Sequence, residues 1–311
     1  MSFKLTILGT SSALPTSDRY PSAHVLNVHE RLFLIDCGEG TQMQMRRYRL
    51  RFSKINNIFI SHLHGDHLFG LYPLLSSLNL MGRKLPLNIY APEPFEELIT
   101  RHFADFDINL GFELLIHPLK GGKPKLIFSD KWVEVTSFPL KHRIPSYGFL
   151  FREKEGDRKI IIEKIAEFRL TVSEMALLKR GEDILRDDGA LIRNSEVTTP
   201  PPSPRSYAYC SDTGYFKKLS SYVSGVDLLY HEATFGSEHT SLARKTGHST
   251  AEQAATVARD ARVRRLIIGH FSARYRSPAP LEEEARTVFP ASEAGKEGRC
   301  YEILPGGDVK E

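Results

Sequence analysis

Between Phe59 and His67 the chain reads Phe-Ile-Ser-His-Leu-His-Gly-Asp-His, so His62, His64, Asp66 and His67 are offered by six consecutive residues. Imidazole and carboxylate donors together suit zinc and similar first-row ions, and four of them from one stretch suggest two adjacent ions rather than one. The run Asn57-Ile58-Phe59-Ile60 ahead of them has strand character, and Leu68, Leu71, Leu75 and Leu78 behind them recur at helical spacing. The cluster is therefore expected on a strand-to-helix loop. His62 and His64 would point the same way from extended backbone, with Asp66 and His67 following a flexible Gly65. A polar loop with satisfied histidines is the bland alternative, but three imidazoles at this spacing have little structural use.

The pattern resembles the His-x-His-x-Asp-His signature of the metallo-β-lactamase superfamily. That resemblance implies an α/β protein, an αβ/βα sandwich of two facing sheets with helices outside and metals at one edge. Two more segments narrow the resemblance to the ribonuclease Z family: Leu8-Gly9-Thr10 near the start and Asp36-Cys37-Gly38-Glu39-Gly40-Thr41-Gln42. The third family segment is the Ser61 to His67 stretch itself, followed by its apolar helix.

The resemblance also implies where the remaining ligands lie. His142 follows a strand-like run ending in Pro139-Leu140-Lys141, Asp212 stands in Ser211-Asp212-Thr213, and His270 ends Leu266-Ile267-Ile268-Gly269. One ion would be held by His62, His64 and His142, the other by Asp66, His67 and His270, with Asp212 across both. Two divalent ions, Zn2+ first and Mn2+ second, would activate a water that attacks phosphorus directly. By the same resemblance the substrate is precursor tRNA, cut after the acceptor stem to leave a 3′-hydroxyl. His248 in Gly247-His248-Ser249-Thr250 would protonate the leaving oxygen or hold the phosphoryl group, and Glu232 in His231-Glu232-Ala233-Thr234 would orient and charge it. Ser249 and Glu252 read as a capping box on a helix from Ala251 to Ala261. The remaining histidines, His24, His29, His102, His117, His231 and His239, fall in no matched position and read as structural or surface residues.

These residues need a large scaffold. At 311 residues, 41% hydrophobic and 26% charged, the chain can bury a sizeable core and sits at the upper limit of one domain. A net charge of +4 permits a nucleic-acid partner without demanding one. Cys37, Cys210 and Cys300 form no metal-type pair and leave one odd, which fits a reducing compartment, with the cytoplasm as the expected location. No apolar run approaches the roughly 18 residues of a membrane span.

Strands are expected at Phe3 to Leu8, in a hairpin of Ala23 to Val28 with Leu32 to Asp36, and at Leu87 to Ala91, Glu113 to Pro118, Leu126 to Ser129, Trp132 to Phe138, Ser206 to Cys210 and Val226 to Tyr230. The helix opened by Gln42 is expected to continue through Arg46, Arg47, Arg49, Arg51 and Lys54. That run carries five positive charges and no acid, so it reads either as a phosphate track or as a solvated face. Arg274, in the Ser-Ala-Arg-Tyr segment after His270 that the family shares, belongs to a second basic stretch with the same two readings.

From residue 152 to 204 the texture changes to alternating charge and closes in Thr199-Pro200-Pro201-Pro202-Ser203-Pro204, which reads as an insertion. The family carries a tRNA-gripping arm here. Leu178-Lys179-Arg180-Gly181 matches its turn, but Leu170 to Met175 lacks its glycines and prolines, and Arg152 to Arg193 holds ten basic and ten acidic residues. The departure keeps a second function open, hydrolysis of a small phosphodiester such as a cyclic nucleotide, alongside a third, a non-catalytic RNA-binding module. A homodimer is implied by the resemblance.

Overall fold

The computed structural model describes residues 2–310, and its short apolar runs pair into two large sheets. Eight strands form the first, in the spatial order Val309–Lys310, Cys300–Ile303, Phe3–Gly9, Ala23–Val28, Arg31–Ile35, Ile55–Phe59, Leu87–Pro92 and Leu114–Leu119. Seven form the second, in the order Ser292–Ala294, Arg265–Gly269, Leu228–Glu232, Ser206–Cys210, Tyr147–Glu153, Val133–Pro139 and Lys125–Ser129. Phe3, Phe33 and Phe59 of the first sheet and Phe149, Phe151, Tyr207 and Tyr230 of the second share one aromatic-rich core. Phe59 meets Phe149 and Phe151 edge-on at 5.4 and 5.3 Å between ring centroids, a favoured aromatic geometry.

Helices cover the two outer faces. Leu71–Leu80 buries Leu71, Leu74, Leu75 and Leu78 against the first sheet. At roughly 1.5–3 kcal/mol for each buried leucine, that stripe fixes the helix firmly behind the metal-loop segment. Ala251–Asp260 and Ala279–Val288 cover the second sheet, packing alanines and Leu281 where larger side chains would hold them off. The result is the expected αβ/βα sandwich.

Three expectations are corrected. The helix opened at Thr41 ends at Arg47; Arg49 takes φ +56°, and a single 3-10 turn covers Phe52–Lys54. Tyr48, Leu50 and Phe52 pack into the core at every second residue, which a 3.6-residue helix cannot supply. The capping box on Ala251–Asp260 is Thr250 with Gln253, because the buried Ser249 hydroxyl donates to Thr213 O at 2.6 Å instead. Behind the metal loop there are two helices, Gly65–Leu68 and Leu71–Leu80, broken at Phe69-Gly70. The strands Tyr147–Glu153, Ser292–Ala294, Cys300–Ile303 and Val309–Lys310 complete sheets that the sequence reading left short.

Residues Glu153–Pro204 form a second compact unit. Its helices Ile162–Glu167 and Val172–Lys179 and two short ladders close on Leu170, Leu178, Ile184, Ile192 and Val197. Thr171 and Glu174 form a capping box, and Arg186 binds both oxygens of Glu174 at 2.7 and 3.0 Å. Among the described residues no helix is long and apolar enough to cross a membrane.

Candidate metal centre

Strand pairing decides where the chemistry collects. Arg31–Ile35 runs parallel to Ile55–Phe59, and Ser206–Cys210, Leu228–Glu232 and Arg265–Gly269 run parallel to one another. The residues just past their carboxyl ends are Asp36, Ser61 to His67, Asp212, Glu232 to Thr234 and His270, the usual place for a site in open α/β sheets. His64 leaves on extended backbone, but Asp66 and His67 occupy the helical turn Gly65–Leu68, not a flexible segment. The turn is laced to the Asp36 segment: Cys37 N donates to His67 O at 2.8 Å and Gly70 N to Cys37 O at 2.9 Å. A Cβ on Gly70 would lie 1.9 Å from Gly38 O, so only glycine permits this approach. Asp36 and His270 both take left-handed backbone, φ +55° and +58°, turning out of their strands into the site.

All seven sequence-proposed ligands come together. His62, His64, His142 and Asp212 form one group and Asp66, His67 and His270 another, the donor atoms of each lying within 4.8 Å of one another. His67 Nε2, His270 Nε2, Asp66 Oδ2 and Asp212 Oδ1 stand 3.2 to 3.4 Å apart in five measured pairs. In the first group His62 Nε2 lies 2.9 Å from His64 Nδ1 and 3.4 Å from Asp212 Oδ2, and His142 Nε2 is 3.3 Å from His64 Nδ1. A tetrahedron with bonds of ~2.0–2.1 Å has edges of about 3.3 Å.

Hydrogen-bond partners assign the tautomers. His142 Nδ1 faces Gly247 O at 2.8 Å, a pure acceptor, so it carries the proton. His67 Nδ1 faces Asp36 Oδ2 at 2.7 Å. Ser61 Oγ donates to Asp36 and accepts from His62 Nδ1; Thr234 Oγ1 donates to Glu232 and accepts from His270 Nδ1. In four imidazoles Nδ1 is thus committed outward and Nε2 turns toward the cluster. Imidazole nitrogens and carboxylate oxygens thus converge on one space, and a cation suits such a set.

Against burial, Asp212, Asp66 and Asp36 raise His67 well above the ordinary imidazole range, so a bound cation would displace a proton from it; the histidines of the first group differ. Burial and the neighbouring His62 and His142 push His64 down to about 4, and burial also lowers His62 and His142, so all three are neutral and ready to bind. Burial pushes Asp212 the other way, yet His270, His67 and His62 hold it well below the carboxylate range. Asp66 is likewise lowered, by His67 and His270 against burial.

His248 stands beside the cluster. Its Nδ1 lies 2.9 Å from Glu232 Oε1 and 3.9 Å from Asp212 Oδ2. Against burial, Glu232 and Asp212 raise it to about 9. Glu232 is fixed in turn by Thr213 N and Thr234 N, each donating at 3.0 Å. Asp212, His248 and His270 could also gather around one ion; the His248 nitrogen nearest Asp212 is already committed to Glu232, which leaves Nε2 for the cleft.

Two clefts open here. One, of about 360 Å³, is lined by His64, Asp66, Asp212, His248 and His270; the other, of about 530 Å³, by His142 and His248. Arg46, Arg47 and Arg274 line neither. Arg46 stacks over Phe52, Arg274 over Phe235, and Arg47 borders a separate cleft with Arg19, Arg276 and Lys296. Other arginines near Arg274 in sequence are spent on ion pairs, Arg264 with Asp227 and Arg265 with Glu293. Sequence reasoning missed Asp36, Ser61 and Thr234 as ligand holders; a strand-end carboxylate or hydroxyl in a quoted motif was the available signal. His24, left as structural, is buried against Tyr207 OH at 2.8 Å.

A family model described as Anti-Pycsar protein Apyc1 matches residues 3–105. Ribonuclease Z of Bacteroides thetaiotaomicron is 45% identical over 309 residues, covering 99% of this chain and 98% of that protein. The chain belongs to the ribonuclease Z family. Ribonuclease Z of Cytophaga hutchinsonii is likewise 45% identical, over 97% of each chain. The crystal structure of human tRNase Z, short form, shares 28% identity at a TM-score of 0.71, over 96% of this chain and 98% of that one. YhfI from Bacillus subtilis, a metallo-β-lactamase fold protein, shares the fold at a TM-score of 0.68 and 18% identity, over 97% and 100%. The histidine and aspartate cluster at the strand ends supplies the donor set that divalent-metal binding calls for.

Proposed function

We propose that the protein is a metal-dependent endoribonuclease that removes the 3′ trailer from precursor tRNA. Kinship to ribonuclease Z over nearly the whole chain carries this reading, joined to seven imidazole and carboxylate donors that converge at the strand ends. His62, His64 and His142 would hold one ion and Asp66, His67 and His270 the other, with one oxygen of Asp212 toward each group. Zinc suits the imidazole and carboxylate donors best and manganese is the alternative. Bound ions supply Lewis acidity and lower the pKa of a water to about 7.

The chain's own groups do the rest. Glu232, pinned by Thr213 and Thr234, holds His248 Nδ1 and aims Nε2 into the cleft. As water oxygen bonds to phosphorus and the bond from phosphorus to the 3′-oxygen breaks, His248 gives that oxygen its proton. The tRNA leaves with a 3′-hydroxyl and the trailer with a 5′-phosphate. Glu153–Pro204 would grip the tRNA, and a cytoplasmic homodimer fits the family.

The test is incubation of the purified protein with zinc or manganese, an end-labelled precursor tRNA and a chromogenic phosphodiester. Cleavage after the acceptor stem is expected; hydrolysis of the small ester alone would replace this reading with a small-phosphodiesterase one.

A further inference from the structure

The two clefts beside the metal ligands differ in charge. The 530 Å³ cleft is lined by Lys141, Arg143, Arg244 and Lys245 and by no aspartate or glutamate. Among the described residues none of these four cations forms an ion pair. The 360 Å³ cleft has Arg143 as its one cation, set against Glu39, Asp66 and Asp212. Arg143 and His248 line both, so a strand crossing His248 passes from one cleft into the other.

Resting on the ribonuclease reading, we propose that the cationic cleft binds the RNA backbone on the 5′ side of the cut, the end of the acceptor strand that leaves with the free 3′-hydroxyl. In-line displacement puts the leaving oxygen opposite the attacking water. Of the proposed ligands, His64, Asp66, Asp212 and His270 line the acidic cleft and His142 the cationic one, so the weight of the ligand set puts the activated water on the acidic side. The leaving 3′-oxygen is then the atom His248 reaches from the other side, and the strand bearing that oxygen continues into the cationic cleft.

Local structure supports a fixed site. The helix Thr240–Thr246 carries Arg244 and Lys245 in its last turn and stops at Gly247, φ +77°. Gly247 O holds the His142 ring, and a Cβ at Gly247 would come 2.9 Å from His142 Nδ1. The cations are thus anchored directly beside the reacting centre. Tyr215 adds an aromatic face on which an unpaired base can stack. Four unneutralised cations suit phosphates, because counterion release supplies affinity with no demand on sequence.

The test uses Arg244→Gln/Lys245→Gln, both exposed and distant in sequence from every proposed ligand, with precursor tRNAs carrying one neutral methylphosphonate linkage near the cut. For the unmodified precursor the variant should raise KM about tenfold, and the slope of log(kcat/KM) against log[salt] should flatten by about 1.4, or 0.7 for each lost phosphate contact. In the parent protein, neutralising either of the first two linkages 5′ of the cut should raise KM several-fold; in the variant it should add nothing. An unchanged KM and slope would overturn the proposal. So would coupling to linkages on the 3′ side. Failure of the parent protein to cut any precursor would instead remove the ribonuclease reading.

Discussion

Asp36 touches no proposed ion, yet its removal should be felt at the metal centre. Its Oδ2 accepts from His67 Nδ1 and Tyr209 OH, both at 2.7 Å, and from Ser61 Oγ at 2.8 Å; its Oδ1 accepts from Ser61 N at 2.7 Å. Asp36→Asn keeps the shape but supplies one acceptor oxygen where two are used. If the amide oxygen faces the three clustered donors, the NH2 meets Ser61 N–H, at a cost of about 1–3 kcal/mol for a buried unsatisfied donor. The other three bonds lose their ionised acceptor and about half their strength, adding roughly 1–2 kcal/mol. The metal-free variant should therefore be less stable by about 2–5 kcal/mol, read from denaturant unfolding. Because His67 loses the group that fixes its tautomer, zinc affinity measured against a competing chelator should fall about 10–100-fold. Tyr209→Phe removes one donor and should lie between, near 1 kcal/mol. Metal-free stability within 0.5 kcal/mol of the parent and zinc affinity within twofold would refute the claim that Asp36 holds His67.

Three further outcomes follow from the same geometry. His248→Ala should retain its metal and lower kcat by about 10²–10⁴; loss of metal by elemental analysis would make His248 a ligand. Deleting Ile162 to Ile192 should spare hydrolysis of a chromogenic phosphodiester and abolish precursor cleavage; loss or survival of both would separate Glu153–Pro204 from tRNA binding. Burial raises Glu297 from 4.5 to about 7, although Oε1 accepts from Thr10 N and Tyr20 N and Oε2 from Gln44 Nε2. Its folded pKa lies above its unfolded one, so its contribution to stability is fullest below pH 4.5 and is lost as pH rises through 7. Relative to Glu297→Gln, the parent should lose up to about 2.5 kcal/mol between pH 5 and pH 8; parallel stability curves would exclude this.

The sequence by itself placed four of the seven proposed ligands together, because backbone geometry fixes what a spacing of two or three residues can present. His62, His64, Asp66 and His67 are tied to one strand end and one helical turn wherever the rest of the chain goes. His142, Asp212 and His270 were singled out by the family resemblance, each beyond an apolar run, and most strands were legible from such runs. Three of the strands that were not, Ser292–Ala294, Cys300–Ile303 and Val309–Lys310, are short and gain their place by pairing with neighbours, as Cys300–Ile303 does with Phe3–Gly9.

Only the tertiary structure decided what lies behind and around the ligands. Asp36 and Thr234 become holders of His67 and His270 because parallel strands far apart in the chain end side by side. The basic run after Thr41 was plain in sequence, yet alternate packing of Tyr48, Leu50 and Phe52 broke its helix, and Arg46 and Arg47 line neither cleft beside the proposed ligands. Lys141, Arg143, Arg244 and Lys245 are unremarkable one by one, and one cationic wall together. Charge acts through space and sequence spacing does not measure it, so that wall appears only when the chain is folded.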